Sequence, residues 1–195
     1  MLTIHSHTPL DKIFVDAAGF QLPYLRGSGL QGESVAWQLA VKWDGWGTLP
    51  LRVWVESPLL EHIRLFRVGN VPCELPAYPE RQDSDYLSVK PGIFPDPLFP
   101  LGEHLDVSGF AQTVVWAEVQ IPADCPPGEY PVTFRAEGRG EEAESTFTLT
   151  VAGAALPEQK LRYTQWLHGD CLAEWYGVPV YGDSYWKLLK SYLGE

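Results

Sequence analysis

No run of about 18 consecutive apolar residues occurs in this sequence, so no helical membrane span is written into it. Positive charge is scarce: 14 Lys and Arg stand against 25 Asp and Glu, a formal net charge of -11. A surface of that sign repels phosphate backbones and anionic bilayers, which argues against nucleic acid or a membrane as partner, and neither is expected. Cysteine is sparse too. Cys73, Cys125 and Cys171 are widely spaced and odd in number, and they form neither a CxxC pair nor a metal-ligand pattern with the five histidines. Reduced thiols in a cytoplasmic protein are the plain expectation, with one disulfide and one free thiol as the alternative. The N-terminus lacks the basic and apolar regions of a secretory leader, which points the same way; a leader already removed would leave no trace. Also missing are the Gly-x-Ser-x-Gly nucleophile elbow, a phosphate loop and the dinucleotide-binding glycine pattern. The glycine-rich piece from Arg26 to Gly32 joins no strand to a helix and reads as a loop. No cofactor is expected.

What is present is core material. Hydrophobic residues make up 45% and aromatics 13%, with 8 Trp, enough to fill a sizeable interior. Helix signals are nearly absent before residue 170, whereas alternating segments recur between Gly and Pro punctuation. Val35, Trp37, Leu39, Val41 and Trp43 share one face of a strand over residues 34–43. Segment 51–56 sets Leu51, Val53 and Val55 against Arg52, Trp54 and Glu56. Segment 63–68 turns Ile63, Leu65 and Val68 inward. Three further strands are expected at 112–121, 129–136 and 143–151, with a turn at Gly138-Arg139-Gly140. Before Tyr130, proline removes a ladder donor and Gly128 permits the turn. Short strands at this spacing need a second sheet to bury one face each. The expected fold is all-β, an antiparallel β-sandwich of immunoglobulin-like or galactose-binding-like type over residues 1–155.

Residues 72–109 interrupt this pattern with seven prolines. A stretch of that length is functional or disordered, and its aromatic content argues for an ordered excursion packed across the sandwich or against a neighbouring domain. From 152 to 160 the composition becomes that of a linker. Beyond it, 161–167 can be a strand, 168–170 a polar turn and 171–176 one helical turn. The segment 183–193 has Trp186, Leu189 and Leu193 at helical spacing behind a cap at Asp183 or Ser184. Strand, loop and helix make the first unit of an α/β domain. Such a unit buries only part of its strand, so the chain reads as truncated.

Two segments carry a family resemblance. The tail has Trp166, His168 and Asp170, then Tyr176-Gly177-Val178, then Ser184 and Trp186; the long excursion has Pro95-Asp96-Pro97-Leu98 after Lys90-Pro91-Gly92. These resemble glycoside hydrolase family 123, the β-N-acetylgalactosaminidases and their uncharacterised relatives. The resemblance implies an N-terminal sandwich ahead of a (β/α)8 barrel, so that residues 156–195 would be a linker and the first βα unit of a barrel that is incomplete here. Barrel chemistry sits at the C-terminal ends of the strands. The resemblance therefore implies that Trp166, His168 and Asp170 face a carbohydrate, and that Pro95, Asp96, Pro97 and Leu98 meet the catalytic domain. The family's acidic pair lies later in the barrel, so no catalytic residue is assigned in this chain.

Each candidate has a plainer alternative. Trp166 would stack on a pyranose while His168 and Asp170 bind hydroxyls, or the three simply pin the first βα loop. His5 and His7 share a strand face but lack a third ligand at a floppy terminus, so no metal is expected. Asp83, Asp85 and Asp96 lack a glycine-centred calcium loop and read as turn formers. Of the tryptophans Trp43, Trp46, Trp54 and Trp116, core packing accounts for most. Gly-flanked Trp46 and out-of-phase Trp54 are the surface candidates for sugar contact. Three roles compete: accessory domain of a glycoside hydrolase for N-acetylhexosaminide-type glycans, autonomous carbohydrate-binding module, and structural or interaction platform.

Overall fold

The computed structural model describes residues 1–17, 22–74, 80, 85–158, 160–162, 164 and 166–193. They fall into two compact units, Met1–Leu156 and Pro157–Glu195.

The first unit is a β-sandwich of two five-stranded sheets. One sheet has the order β1-β3-β8-β5-β6, built from β1 (Leu2–His7), β3 (Ser34–Trp43), β8 (Gln112–Gln120), β5 (Ile63–Cys73) and β6 (Gly92–Pro100). The other has the order β2-β10-β9-β4-β7, from β2 (Arg26–Gln31), β10 (Glu141–Ala155), β9 (Gly128–Gly138), β4 (Thr48–Glu56) and β7 (His104–Ser108). Among the described strands pairing is antiparallel except between β2 and β10, and an isolated parallel bridge joins Trp43 to Gly109.

The expected alternation is what fills the interior. Trp37, Leu39 and Val41 of β3 meet Leu51 and Val53 of β4, Val132, Phe134 and Ala136 of β9, and Phe147, Leu149 and Val151 of β10 in one buried cluster. At its centre the rings of Trp37 and Phe147 stack with centroids 4.3 Å apart and planes 8° off parallel. Both are almost wholly removed from water. Burial of such large side chains is worth about 1.5–3 kcal/mol each and is the main force pressing the sheets together. The β9–β10 hairpin closes through Arg139 and Gly140, with φ of 49° and 80°. Two successive positive φ angles give a turn whose twist matches the flanking strands. Tyr130 donates its hydroxyl to the Pro126 carbonyl at 2.7 Å, fastening the start of β9 to the loop before it.

Several expectations change. Val68 is buried on the opposite face from Ile63 and Leu65, in a second cluster with Ile13, Ala40 and Val114. The strand continues without slipping, so the parity of position 68 sends it outward. That outer face is covered because the chain after β1 crosses it. Gln38 donates its amide to the carbonyls of Thr8 and Asp11, at 3.0 and 2.8 Å. Gln112 holds Ala17 at 3.3 Å through its side chain and Val15 at 2.8 Å through its backbone N–H. The terminus bearing His5 and His7 is likewise a paired strand, β1.

Arg26–Gln31 is a strand, not a loop. A Cβ at Gly27 would lie 2.7 Å from the Phe147 ring, and one at Gly29 would lie 2.7 Å from Val35 and Ile121. Glycine is there for close approach to the core.

Much of the proline-rich excursion is also strand. β6 carries Pro95, Pro97 and Pro100, and it is tolerated because it pairs with β5 on one side only and lies at the sheet edge. Its register shifts opposite Val68 and Asn70, which absorbs the irregularity.

The second unit contains α1 (Gly169–Tyr176) and α2 (Asp183–Leu193). The described residues of 161–167 carry no assigned strand, where one was expected. The helices instead make a short hairpin. Gly177 caps α1 in the left-handed conformation (φ 63°, ψ 33°). Tyr185, not Trp186, is the buried aromatic of α2; it lies over Gly169, where a Cβ would sit 2.1 Å from its hydroxyl oxygen.

Candidate functional site

The residues singled out by resemblance fall in two places. In the second unit, Trp166 is 90% exposed, His168 precedes α1 without a side-chain capping bond, and Asp170 lies exposed in its first turn. The backbone carbonyl of His168 accepts the N–H of Cys171 at 3.2 Å. Three exposed side chains along one short segment do not enclose a ligand.

Pro95, Asp96, Pro97 and Leu98 lie on β6, in the first unit. Pro95 is buried, Asp96 and Leu98 are exposed, and Pro97 is intermediate. Here the structure does form a concavity. A cleft of about 450 Å³ opens between the N-terminal crossing segment, the end of β5 and the start of β6, lined by Lys12, Phe14, Cys73, Asp85, Tyr86 and Phe94 among others. Phe14 meets Phe94 edge-on at 5.5 Å, and Lys12 reaches the Pro95 carbonyl at 3.5 Å. Along the same strand Ile93, Leu98 and Phe99 remain exposed, with the Arg67 guanidinium 4.9 Å over the Phe99 ring. Sequence reasoning pointed to β6 but missed Lys12 and Phe14, because nothing local says that segment 8–17 folds across the sheet.

The other candidates separate clearly. His7 is buried and its Nδ1 lies 3.3 Å from the Asp11 carboxylate. His5 is held below its ordinary value, first by burial and then by the neighbouring charges of His7 and Lys42. Among the described residues no group of three or more His, Cys, Asp or Glu is placed to hold a metal. Asp83 lies outside the described residues. Cys73, Cys125 and Cys171 are all free thiols.

Among the tryptophans, Trp43 packs partly against the main core and Trp116 against the smaller cluster. Trp54 is half-buried and occupied by its own neighbours, its indole N–H donating to Glu56 at 3.1 Å and Arg52 lying 5.3 Å over its ring. Trp46 differs. It is 88% exposed at the β3–β4 turn and meets Phe110 of the β7–β8 turn edge-on, with centroids 5.2 Å apart. Phe110 is itself 53% exposed and has a φ of 62°. Sequence patterning gave no sign of Phe110, since nothing in a phenylalanine announces a left-handed backbone.

No protein-family model matches the sequence, and no curated protein matches it significantly. Among solved structures, a family 123 glycoside hydrolase from Clostridium perfringens, studied for its hydrolysis of glycolipid glycans, matches 99% of this chain with a TM-score of 0.73 at 14% identity. The chain shares its fold with part of that enzyme. It spans 36% of the enzyme's length, about a third. Weaker matches include the sporulation control protein Spo0M from Bacillus subtilis (TM-score 0.38, 12% identity, 77% of this chain and 49% of that one). A PapD-like domain of human CEP192 gives a TM-score of 0.36 at 9% identity, over 79% of this chain and 87% of that one. No helix among the described residues is long and apolar enough to cross a membrane.

Proposed function

We propose that this chain is the leading part of a longer glycoside hydrolase acting on N-acetylhexosaminide-type glycans, with Met1–Leu156 as its accessory sandwich. The observation that carries the reading is the agreement in fold over 99% of the chain with a stretch of a family 123 enzyme. The sandwich would support the catalytic domain, and β6 would meet it through Pro95, Asp96, Pro97 and Leu98. Two features of β6 favour that role. Its exposed Ile93, Leu98 and Phe99 offer apolar contact, and its prolines remove the N–H donors that would recruit a stray strand. Trp166, His168 and Asp170, exposed here, would become sugar contacts only when a barrel encloses them. The partners of this reading are thus a carbohydrate and an intramolecular catalytic domain.

The test is turnover of an aryl N-acetyl-β-galactosaminide. The 195-residue chain is expected to be inert, and hydrolysis above the buffer blank would overturn an accessory role. The longer gene product is expected to be active and to lose stability or turnover when residues 1–156 are deleted. A longer product equally stable and active without them would refute the proposal.

A further inference from the structure

We infer that Trp46 and Phe110 form a pyranose-stacking site at one tip of the sandwich. The two rings come from different turns and stand at 74° to each other, so one can lie against the C–H face of a sugar while the other flanks its rim. The tip is built, not loose. Phe110 donates its N–H to the Trp43 carbonyl and Gly109 donates to Gly47, both at 2.8 Å. Gly109 approaches so closely that a Cβ there would lie 1.8 Å from the Gly45 carbonyl oxygen.

The backbone at Phe110 makes the case sharper. A left-handed φ strains any residue with a Cβ, and glycine or asparagine would occupy the position at less cost. The phenyl ring offers the fold little in return, because half of it remains in water. Trp46 likewise leaves nearly all its indole exposed. Strain and exposed aromatic surface, both kept at one spot, mark a site that contacts something else.

Pyranose chemistry fits the surroundings better than a protein surface does. Asp44, Thr48 and Ser108, each two positions in sequence from one of the rings, are exposed and polar, and Asp44 pairs with Lys42 at 3.4 Å. Carboxylate and hydroxyl groups near an exposed aromatic face match the hydroxyls around an apolar sugar face. A protein interface, by contrast, buries about 800 Å² on each side, far more than two rings supply. The choice of amino sugar rests on the function proposed above; the stacking site does not.

The test uses the whole 195-residue chain, titrated by calorimetry and by tryptophan emission with three probes. These are an oligosaccharide ending in N-acetylgalactosamine, chitotetraose and cellotetraose. Saturable binding with a blue shift of emission is expected for the first, weakened at least tenfold by Trp46→Ala and kept within about threefold by Trp46→Phe. Far-UV circular dichroism of each variant must match the parent. Trp46-dependent binding of cellotetraose alone would uphold the site and count against the amino-sugar reading. No binding of any probe, or binding indifferent to Trp46→Ala, would overturn the inference while leaving the turnover assays to judge the proposed function.

Discussion

If Phe110 is kept in a strained conformation for its exposed ring, glycine should be better tolerated there than alanine. The reverse holds at most positions, because glycine has more conformational freedom to lose on folding, by about 0.5–1 kcal/mol. At a φ of 62° the balance shifts. A residue with a Cβ pays about 1–2 kcal/mol for the left-handed region, and glycine pays almost nothing. Both substitutions delete the edge-to-face contact with Trp46, worth about 0.5–1.5 kcal/mol when well packed and less at this exposure. That loss cancels in the comparison. Phe110→Gly should therefore be more stable than Phe110→Ala by about 0.5–1 kcal/mol, and close to the parent. Urea unfolding followed by far-UV circular dichroism reads the difference directly, as a shift in midpoint at unchanged slope. An alanine variant equal to or more stable than the glycine variant would refute the claim that strain is stored here. The same pair of variants separates fold from function, since both remove the ring that the sugar would touch.

Three further outcomes follow from the packing and the titrating groups. Trp37→Ala should cost about 3–5 kcal/mol, because its ring stacks on Phe147 between two sheets that cannot close the gap; a loss below 1 kcal/mol in urea melts would contradict that packing. Gly27→Ala should lose about 1–3 kcal/mol, since the new methyl meets the Phe147 ring at 2.7 Å and that ring is pinned by Trp37; unchanged stability would mean the core gives more easily than its geometry implies. Stability should also fall on acidification, in two stages. His5 is depressed below 6.5, so the unfolded chain takes up its proton first and stability drops as pH falls from about 6.5 towards the folded value. Glu141 is depressed below 4.5, chiefly because it accepts the Leu2 N–H, so its contribution is complete above 4.5 and disappears as pH falls through its folded value. In melts across pH 7 to 5, His5→Asn should flatten the first stage; an unaltered slope would exclude His5 as its source.

Six strands were legible because each alternates between core and surface at period two, which is a property of the strand itself. What escaped was everything that depends on a neighbour. β2 looks like a loop until Phe147 and Val35 explain why Gly27 and Gly29 must lack side chains. β6 looks like an irregular excursion because proline argues against a strand, and only its place at the sheet edge reverses that. The crossing segment that completes the Lys12–Phe94 cleft has no local signature, so that side of the cleft was invisible while Pro95 and Asp96 were not. In the tail the helical spacings of 171–176 and 183–193 led to helices, whereas the described residues of 161–167 carry no assigned strand despite their strand-like composition.

The two candidate surfaces differ in how their chemistry is earned. On β6 the exposed apolar side chains sit on a strand whose prolines block edge-to-edge pairing, so contact there must come through side chains. A domain packed against β6 would bury Ile93, Leu98 and Phe99 and gain about 25 cal/mol for each Å² removed from water. At the Trp46–Phe110 tip the apolar area is too small for that, and the backbone is strained to present it. Affinity for a sugar needs only one well-placed face and a few flanking polar groups, because a rigid aromatic pair loses little freedom on binding. Packing energy suits the first surface and preorganisation suits the second. The two proposals thus ask different things of the surface: removal of apolar area from water at β6, and rings already held in place at the tip.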